Sequence, residues 1–394
     1  MDASIASEFR RDCTGSPRPV GDAPEQPWEG RAPVLRDGGA TVPPIPADAI
    51  DPRTAIGYDA LWESMERCRR GVGWKSSVQS FVLNAPAEVM RLSDELHDGT
   101  YRPRPPKEFV VTYPKRRVIL GVSFRDRVVQ RSYNDNVIYP CMSRSWIYDN
   151  YACQQGKGTD FARERVRAHL ERAVRAHGPG VFALRVDVRG YYDHMRHEDV
   201  GVRLYAKCPM WAARFACETL RRQYGGEVGV RPGSQLAQIA GVDYLDEIDH
   251  AIKERMGVRG YGRYMDDLVL VHHDEAYLES CLEEITRMMR WTGLAPHPTK
   301  TRVAPASEGF SWLGFDYRVT GRGRIAMTIK PDKVKAMRRH VGRLWRLERD
   351  GLRPEGTTWA AYEGWRAHAA KGDSASLITR CDAWLDELTG LEMQ

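Results

Sequence analysis

The stretch GRYMDDLVLV, residues 262–271, sets two adjacent carboxylates, Asp266 and Asp267, between a polar segment carrying Tyr264 and a run of four apolar residues. Two like charges at the mouth of what reads as a buried strand call for a reason. A turn is the plain one, since aspartate is a common turn residue and a hairpin must turn somewhere. Four-letter motifs also recur by chance, so the decision rests on what the rest of the chain places around this pair.

With 394 residues, 42% hydrophobic and 9% aromatic, the chain can bury the cores of two or three domains and is not a disordered polymer. No apolar run approaches the ~18–20 residues that span a bilayer, and the N-terminal MDASIASEFRRD lacks the apolar stretch of a signal peptide. A cytoplasmic protein with no membrane partner is expected. The eight cysteines, at 13, 68, 141, 153, 208, 217, 281 and 381, include no C-x-x-C pair, which points to reduced structural thiols rather than a zinc ribbon or a disulfide framework. A net charge of +6 is by itself only a weak sign of a polyanionic partner.

Residues 1–57 form a Pro/Gly-rich extension without periodicity, which predicts disorder, and a globular pattern holds from Tyr58 onward. FVVTYPKRRVIL (109–120) reads as two strands around a basic turn, and FRDRVVQRSYNDNVI (124–138) as a helix with an apolar stripe. A capped helix is expected over 157–178 and another over 234–257, each stopped by glycine. Between them VFALRVD (181–187) is a short apolar run ending in an acid, a buried strand that delivers Asp187 to the sheet edge.

If that strand neighbours the hairpin, three carboxylates converge. Uncompensated, such a cluster costs on the order of several kcal/mol in repulsion and desolvation. Hard divalent cations remove the difficulty, because Mg²⁺ takes carboxylate and phosphate oxygens. Two such ions ~4 Å apart are a known device for in-line phosphoryl transfer.

Five boxes in order carry a resemblance that extends over roughly residues 65–375. They are LRVDVRGYYDHM (184–195), GVRPGSQLAQ (229–238), YMDD (264–267), GLAPHPTKT (293–301) and FSWLGFDY (310–317). In these the chain resembles the bacterial reverse transcriptases of the non-intron retroelement, diversity-generating and phage-defence-associated branch. SFRDRVVQRSY, SWIYDNYACQQGKGTDFAR and YGRYMDD also have near counterparts there. Ala237-Gln238 departs from the Ser-Gln usual in that branch.

The resemblance implies an α+β right-hand polymerase fold, with a palm built on an antiparallel sheet, fingers, and a helical thumb. Fingers and palm would occupy 58–325 and the thumb 326–394. It implies an RNA-directed DNA polymerase that uses two Mg²⁺ ions, with Mn²⁺ as a substitute, an RNA template, a DNA or RNA primer and dNTPs. Asp187 and Asp266 would be the metal ligands, Asp267 would assist, and the carbonyl of Val188 would complete one site.

Tyr192, five residues after Asp187, falls where the family's aromatic stacks under the sugar and excludes the 2′-hydroxyl. Tyr191 and Tyr192 also fit as core aromatics, and only one is expected to reach the site. Gln238 would contact the incoming nucleotide or the template base; its alternative is a surface amide. One or two of Lys115, Arg116 and Arg117 would hold the triphosphate, and Lys300 would donate a proton to the departing pyrophosphate.

The segment 330–353 carries Lys or Arg at nine positions against acids at three, with Val334, Met337, Val341, Leu344 and Trp345 at helical spacing. A thumb helix with one packed face and one basic face along a nucleic-acid backbone is expected, with Arg338, Arg339, Arg343 and Arg346 on the basic side. His194, His197, His272 and His273 lack a third ligand at metal-site spacing and read as surface or hairpin-flank residues.

Two rivals stand beside the polymerase. One is a polymerase-like scaffold that binds structured RNA without synthesis, against which the intact acids argue. The other is a template-independent polymerase on the same fold. The biological role stays open among anti-phage defence with a non-coding RNA, diversity generation with an accessory protein, and another retroelement.

Overall fold

The computed structural model describes residues 50–111, 117–231 and 233–390, with Arg117 described by its backbone alone. Most of the extension expected over 1–57 lies outside these residues, as do Lys115, Arg116 and the side chain of Arg117. The described chain forms two compact units, one from residues 50–154, 188–251 and 286–296, the other from 155–187, 252–285 and 297–390. Helices and three antiparallel sheets make the fold α+β. Among the described residues no helix is long and apolar enough to cross a membrane.

In the first unit the helices Tyr58–Arg69, Ala85–His97 and Phe124–Tyr133 bury Leu61, Met65, Val89, Leu92, Val128 and Val129. Ser123 caps the last of these, its hydroxyl accepting from the Asp126 N–H at 3.2 Å. The helix then runs into a π-helical turn, Asn134–Ile138. Strands β1 (Lys107–Val111) and β2 (Arg117–Gly121) pair antiparallel, Lys107 opposite Gly121, and β1 is exposed along its whole length.

The helix expected over 234–257 is broken. It begins at Gln235, where Ser234 accepts from the Ala237 N–H at 3.1 Å, and ends at Asp243; a short helix, Asp246–His250, then passes into a π-helical turn, Ala251–Arg255. Buried contacts gather at the break. Lys207 Nζ donates to Asp243 Oδ1 at 2.7 Å, Asp246 Oδ2 at 2.8 Å and Ser145 Oγ at 2.9 Å, which draws two buried acids toward one ammonium. Burying that charge unpaired would cost more than the few tenths of a kcal/mol per residue that helix propensity offers.

In the second unit β3 (Phe182–Asp187), β4 (Gly260–Tyr264), β5 (Asp267–His272) and β6 (Arg302–Pro305) form one sheet in the order β4-β5-β3-β6, every pair antiparallel. The helix Thr159–His177 packs on β4 and β5 through a face that includes buried Ala162, Val166 and Leu170. β7 (Phe310–Trp312), β8 (Phe315–Val319) and β9 (Ile325–Thr328) make a further sheet. Its β7–β8 turn, Leu313–Gly314, has positive φ at both residues, 44° and 90°. Buried Arg163 donates to the Leu313 carbonyl through Nε at 3.1 Å and Nη2 at 3.0 Å.

Helices Pro331–Arg349, Thr357–Ala369 and Ala375–Thr389 close on a core of Met337, Val341, Tyr362, Cys381 and Leu385, with Val334, Trp365 and Trp384 packed against it. All cysteines among the described residues are free, and only Cys153 is exposed.

Gly233 gives the first unit a sharp test. Its φ is 150°, and a Cβ there would stand 2.2 Å from the Leu120 carbonyl oxygen of β2. Gly233→Ala is expected to destabilise the protein by about 2–4 kcal/mol, read as a lower urea midpoint at unchanged m-value.

Candidate active site

Alternation along β3 decides which side chains meet. Residues two apart on a strand share a face, so Arg185 and Asp187 point the same way while Leu184 and Val186 are buried on the other side. The register then puts Asp187 directly opposite Asp267 at the start of β5 and Arg185 opposite Val269. Arg185 therefore lies diagonal to Asp267, within reach of a long side chain. Its Nη2 donates to Asp267 Oδ1 at 2.9 Å and stands 3.7 Å from Asp187 Oδ2.

On the other side of β5, Tyr264 pairs with Asp267, which leaves Met265 and Asp266 as a two-residue turn. Met265 takes a left-handed φ of 55°, a conformation that bulky side chains resist. Arg263, fully buried on β4, donates from Nη1 to the Met265 carbonyl at 2.8 Å and holds the turn from inside. Burial first, then the negative charges of Asp267 and Asp187, push the Asp266 carboxyl up to about 6, while Lys300 acts in the opposite sense.

The lysine box closes this side of the sheet. The His297 N–H donates to the Asp187 carbonyl at 2.7 Å, and the Asp187 N–H donates to Thr301 Oγ1 at 3.3 Å. Lys300 Nζ thereby reaches Asp187 Oδ1 at 2.9 Å. Asp187, Asp266, Asp267 and Lys300, picked out from separate boxes, are thus brought to one end of one sheet.

The remaining sequence-derived residues are placed as follows. Val188 is buried and bridges to Pro296. Tyr191 is buried, its hydroxyl donating to the Gly241 carbonyl. Tyr192 is half-buried, its ring lying so close to Gly241 that a Cβ there would meet it at 3.0 Å. Gln238, one helical turn before Gly241, is exposed. Both tyrosines and Gln238 belong to the first unit.

On the helix Pro331–Arg349, Arg339, Arg343 and Arg346 are exposed. Arg338 turns inward instead, its guanidinium over the Trp384 ring at 5.2 Å and its Nη2 3.9 Å from Cys381 Sγ. The helix Ala375–Thr389 supplies both neighbours, which helical spacing alone does not reveal. Of the histidines, His194 and His197 bond the Gly190 and Gly229 carbonyls, each at 2.8 Å, and His273 stacks on His177 with ring centroids 3.9 Å apart.

Three carboxylates with hard oxygen donors suit Mg²⁺ or Mn²⁺ better than a soft metal. Burial, and after it the like charges of Asp267 and Asp187, raise the Asp266 carboxyl, and a bound cation would offset both. Among the described residues no three such side chains already stand as a metal-holding group; Asp267 is engaged by Arg185 and Asp187 by Lys300.

Arg185 and Arg263 were not singled out from the sequence. The available signal was parity: each is the lone charge inside a buried strand, and Arg185 shares the face of Asp187.

Residues 106–317, more than half of the chain, match the family model described as reverse transcriptase (RNA-dependent DNA polymerase). No curated protein matches the chain. Among solved structures, telomerase from Candida albicans in complex with a TWJ fragment of telomeric RNA is similar at 13% identity and a TM-score of 0.43, over 63% of this chain and 51% of that one. Apo telomerase from Candida tropicalis, truncated from the C-terminal domain, is similar at 10% identity and a TM-score of 0.42, over 57% and 55%. The chain thus spans about half the length of the solved structures it matches.

The buried guanidinium on β4 generates a prediction. Arg263→Met keeps the aliphatic stem but strips the Met265 carbonyl of its donor. The variant is expected to lose at least ~1.5–3 kcal/mol of stability in chemical denaturation, whereas Arg263→Lys should recover part of the loss.

Proposed function

The chain belongs to the reverse transcriptase (RNA-dependent DNA polymerase) family, and from that premise we propose that it copies an RNA template into DNA, extending a DNA or RNA primer with dNTPs on a right-hand polymerase fold. The observation that carries this reading is the register that sets Asp187 against Asp267 with Asp266 in the adjoining turn. The family uses divalent metal ions. For this chain the proposal is two Mg²⁺ ions, with Mn²⁺ as a substitute, for which Asp187, Asp266 and Asp267 are the holding residues. When bound, such ions supply Lewis acidity and neutralise the attacking and leaving oxygens of an in-line displacement.

The protein's own groups do the rest. β3 and β5, paired in register, fix the backbone positions from which Asp187 and Asp267 project. Lys300, 2.9 Å from Asp187 Oδ1, is assigned the proton transfer to the leaving pyrophosphate. Tyr192 is assigned the exclusion of the 2′-hydroxyl, and its ring packs against Gly241, where there is no side chain to displace it. Gln238, exposed on the helix that follows the Gly-rich turn, is assigned contact with the nucleotide or template base.

Arg339, Arg343 and Arg346 are proposed to lie along the nucleic-acid backbone. Within the family the chain is placed in the bacterial non-intron branch, on SFRDRVVQRSY and YGRYMDD. There, cDNA synthesis would serve phage defence or a retroelement.

Asp266→Asn is expected to abolish primer extension while the metal-free protein keeps equal or higher thermal stability, since one repelling charge is removed. Extension at the wild-type rate would sink the catalytic assignment. Replacing Arg339, Arg343 and Arg346 together by Gln should flatten the slope of log K against log salt for template binding by roughly two to three units. An unchanged slope with intact folding would mean that this face is merely solvated.

A further inference from the structure

The ion pair between Arg185 and Asp267 engages an oxygen that a cation would also need. We propose that Arg185 is a resident counter-cation of the acidic site, which must release Asp267 before that carboxylate can ligate a divalent ion, and which thereby sets the affinity of the site for metal. The inference rests on the reading of Asp187, Asp266 and Asp267 as the metal-holding acids.

Three observations carry it. First, one nitrogen, Nη2, serves both acids, at 2.9 Å from Asp267 Oδ1 and 3.7 Å from Asp187 Oδ2. The side chains are only 21%, 26% and 14% exposed, so water screens the three charges weakly. Second, β3 lies between β5 and β6 and is hydrogen-bonded on both sides, so the backbone under Arg185 cannot move aside. Release of Asp267 has to come from rotation of side chains.

Third, Arg185 Nε is buried and has no hydrogen-bond partner. A buried unsatisfied N–H costs about 1–3 kcal/mol. Arg185 spends its contacts on the two acids and leaves a donor unpaired. What frees Asp267 is competition between this guanidinium and an incoming cation. Lys300, on the far side of Asp187, is more exposed at 47% and sits in a turn, so it yields more easily than Arg185.

The test is Mn²⁺ binding to the full-length protein, followed by electron paramagnetic resonance, with the Mg²⁺-induced rise in Tm as a second readout that needs no turnover. Arg185→Gln removes a unit charge next to the site and is expected to bind Mn²⁺ about tenfold more tightly. Its Tm should be lower without metal and should rise further than that of the wild type on adding Mg²⁺. Arg185→Lys keeps the charge and should bind like the wild type. Arg185→Met, with its aliphatic stem, makes the same measurement if the Gln variant does not fold.

Wild-type or weaker Mn²⁺ affinity in both neutral variants would overturn the role of Arg185 while leaving the metal reading intact. Absence of Mn²⁺ binding in the wild type itself would overturn both.

Discussion

Mutual repulsion among three carboxylates at one end of a sheet is the constraint to which the second unit answers. Asp187, Asp266 and Asp267 come together because an antiparallel register leaves them no alternative. Sliding β3 by one residue would turn Leu184 and Val186, both fully buried, to the face that now carries Arg185 and Asp187, and would set those two charges in the core. At about 0.8 kcal/mol per buried methylene, that apolar surface outweighs the repulsion. The hydrophobic faces of the strands thus hold the acids against their own charge, and Arg185 and Lys300 neutralise what remains.

Much of this was legible in the sequence. An apolar run ending in an acid has few interpretations other than a strand with a functional tip, and VFALRVD delivers Asp187 in that way. The basic helix was legible for the same reason, since Met337 and Val341 recur at helical spacing and are its buried residues. Arg185 and Arg263 stayed hidden because single charges within apolar strands read as interruptions of a pattern. Their meaning depends on partners 82 residues away for Arg185, and on a backbone carbonyl for Arg263.

Other features depended on contacts that periodicity does not encode. The two acids that flank the break, Asp243 and Asp246, share Lys207, 36 and 39 residues earlier. Arg338 faces inward because Trp384 lies across from it, although its neighbours Arg339 and Arg343 face solvent. The choice between Tyr191 and Tyr192 was open in sequence, and one hydrogen bond to the Gly241 carbonyl accounts for which ring is the more deeply buried.

Met265 and Leu313 share a property that bears on how this unit moves. Each is a bulky residue in left-handed backbone at the tip of a hairpin, and each offers its carbonyl to a buried guanidinium, Arg263 for one and Arg163 for the other. A glycine in either place would sample a broad basin of nearby angles at little cost. A side chain with a Cβ has only a narrow well there, and the arginine latch deepens that well. Each hairpin tip is therefore held at one backbone carbonyl by one buried guanidinium, so that the arginine and the strained turn it secures form a single unit.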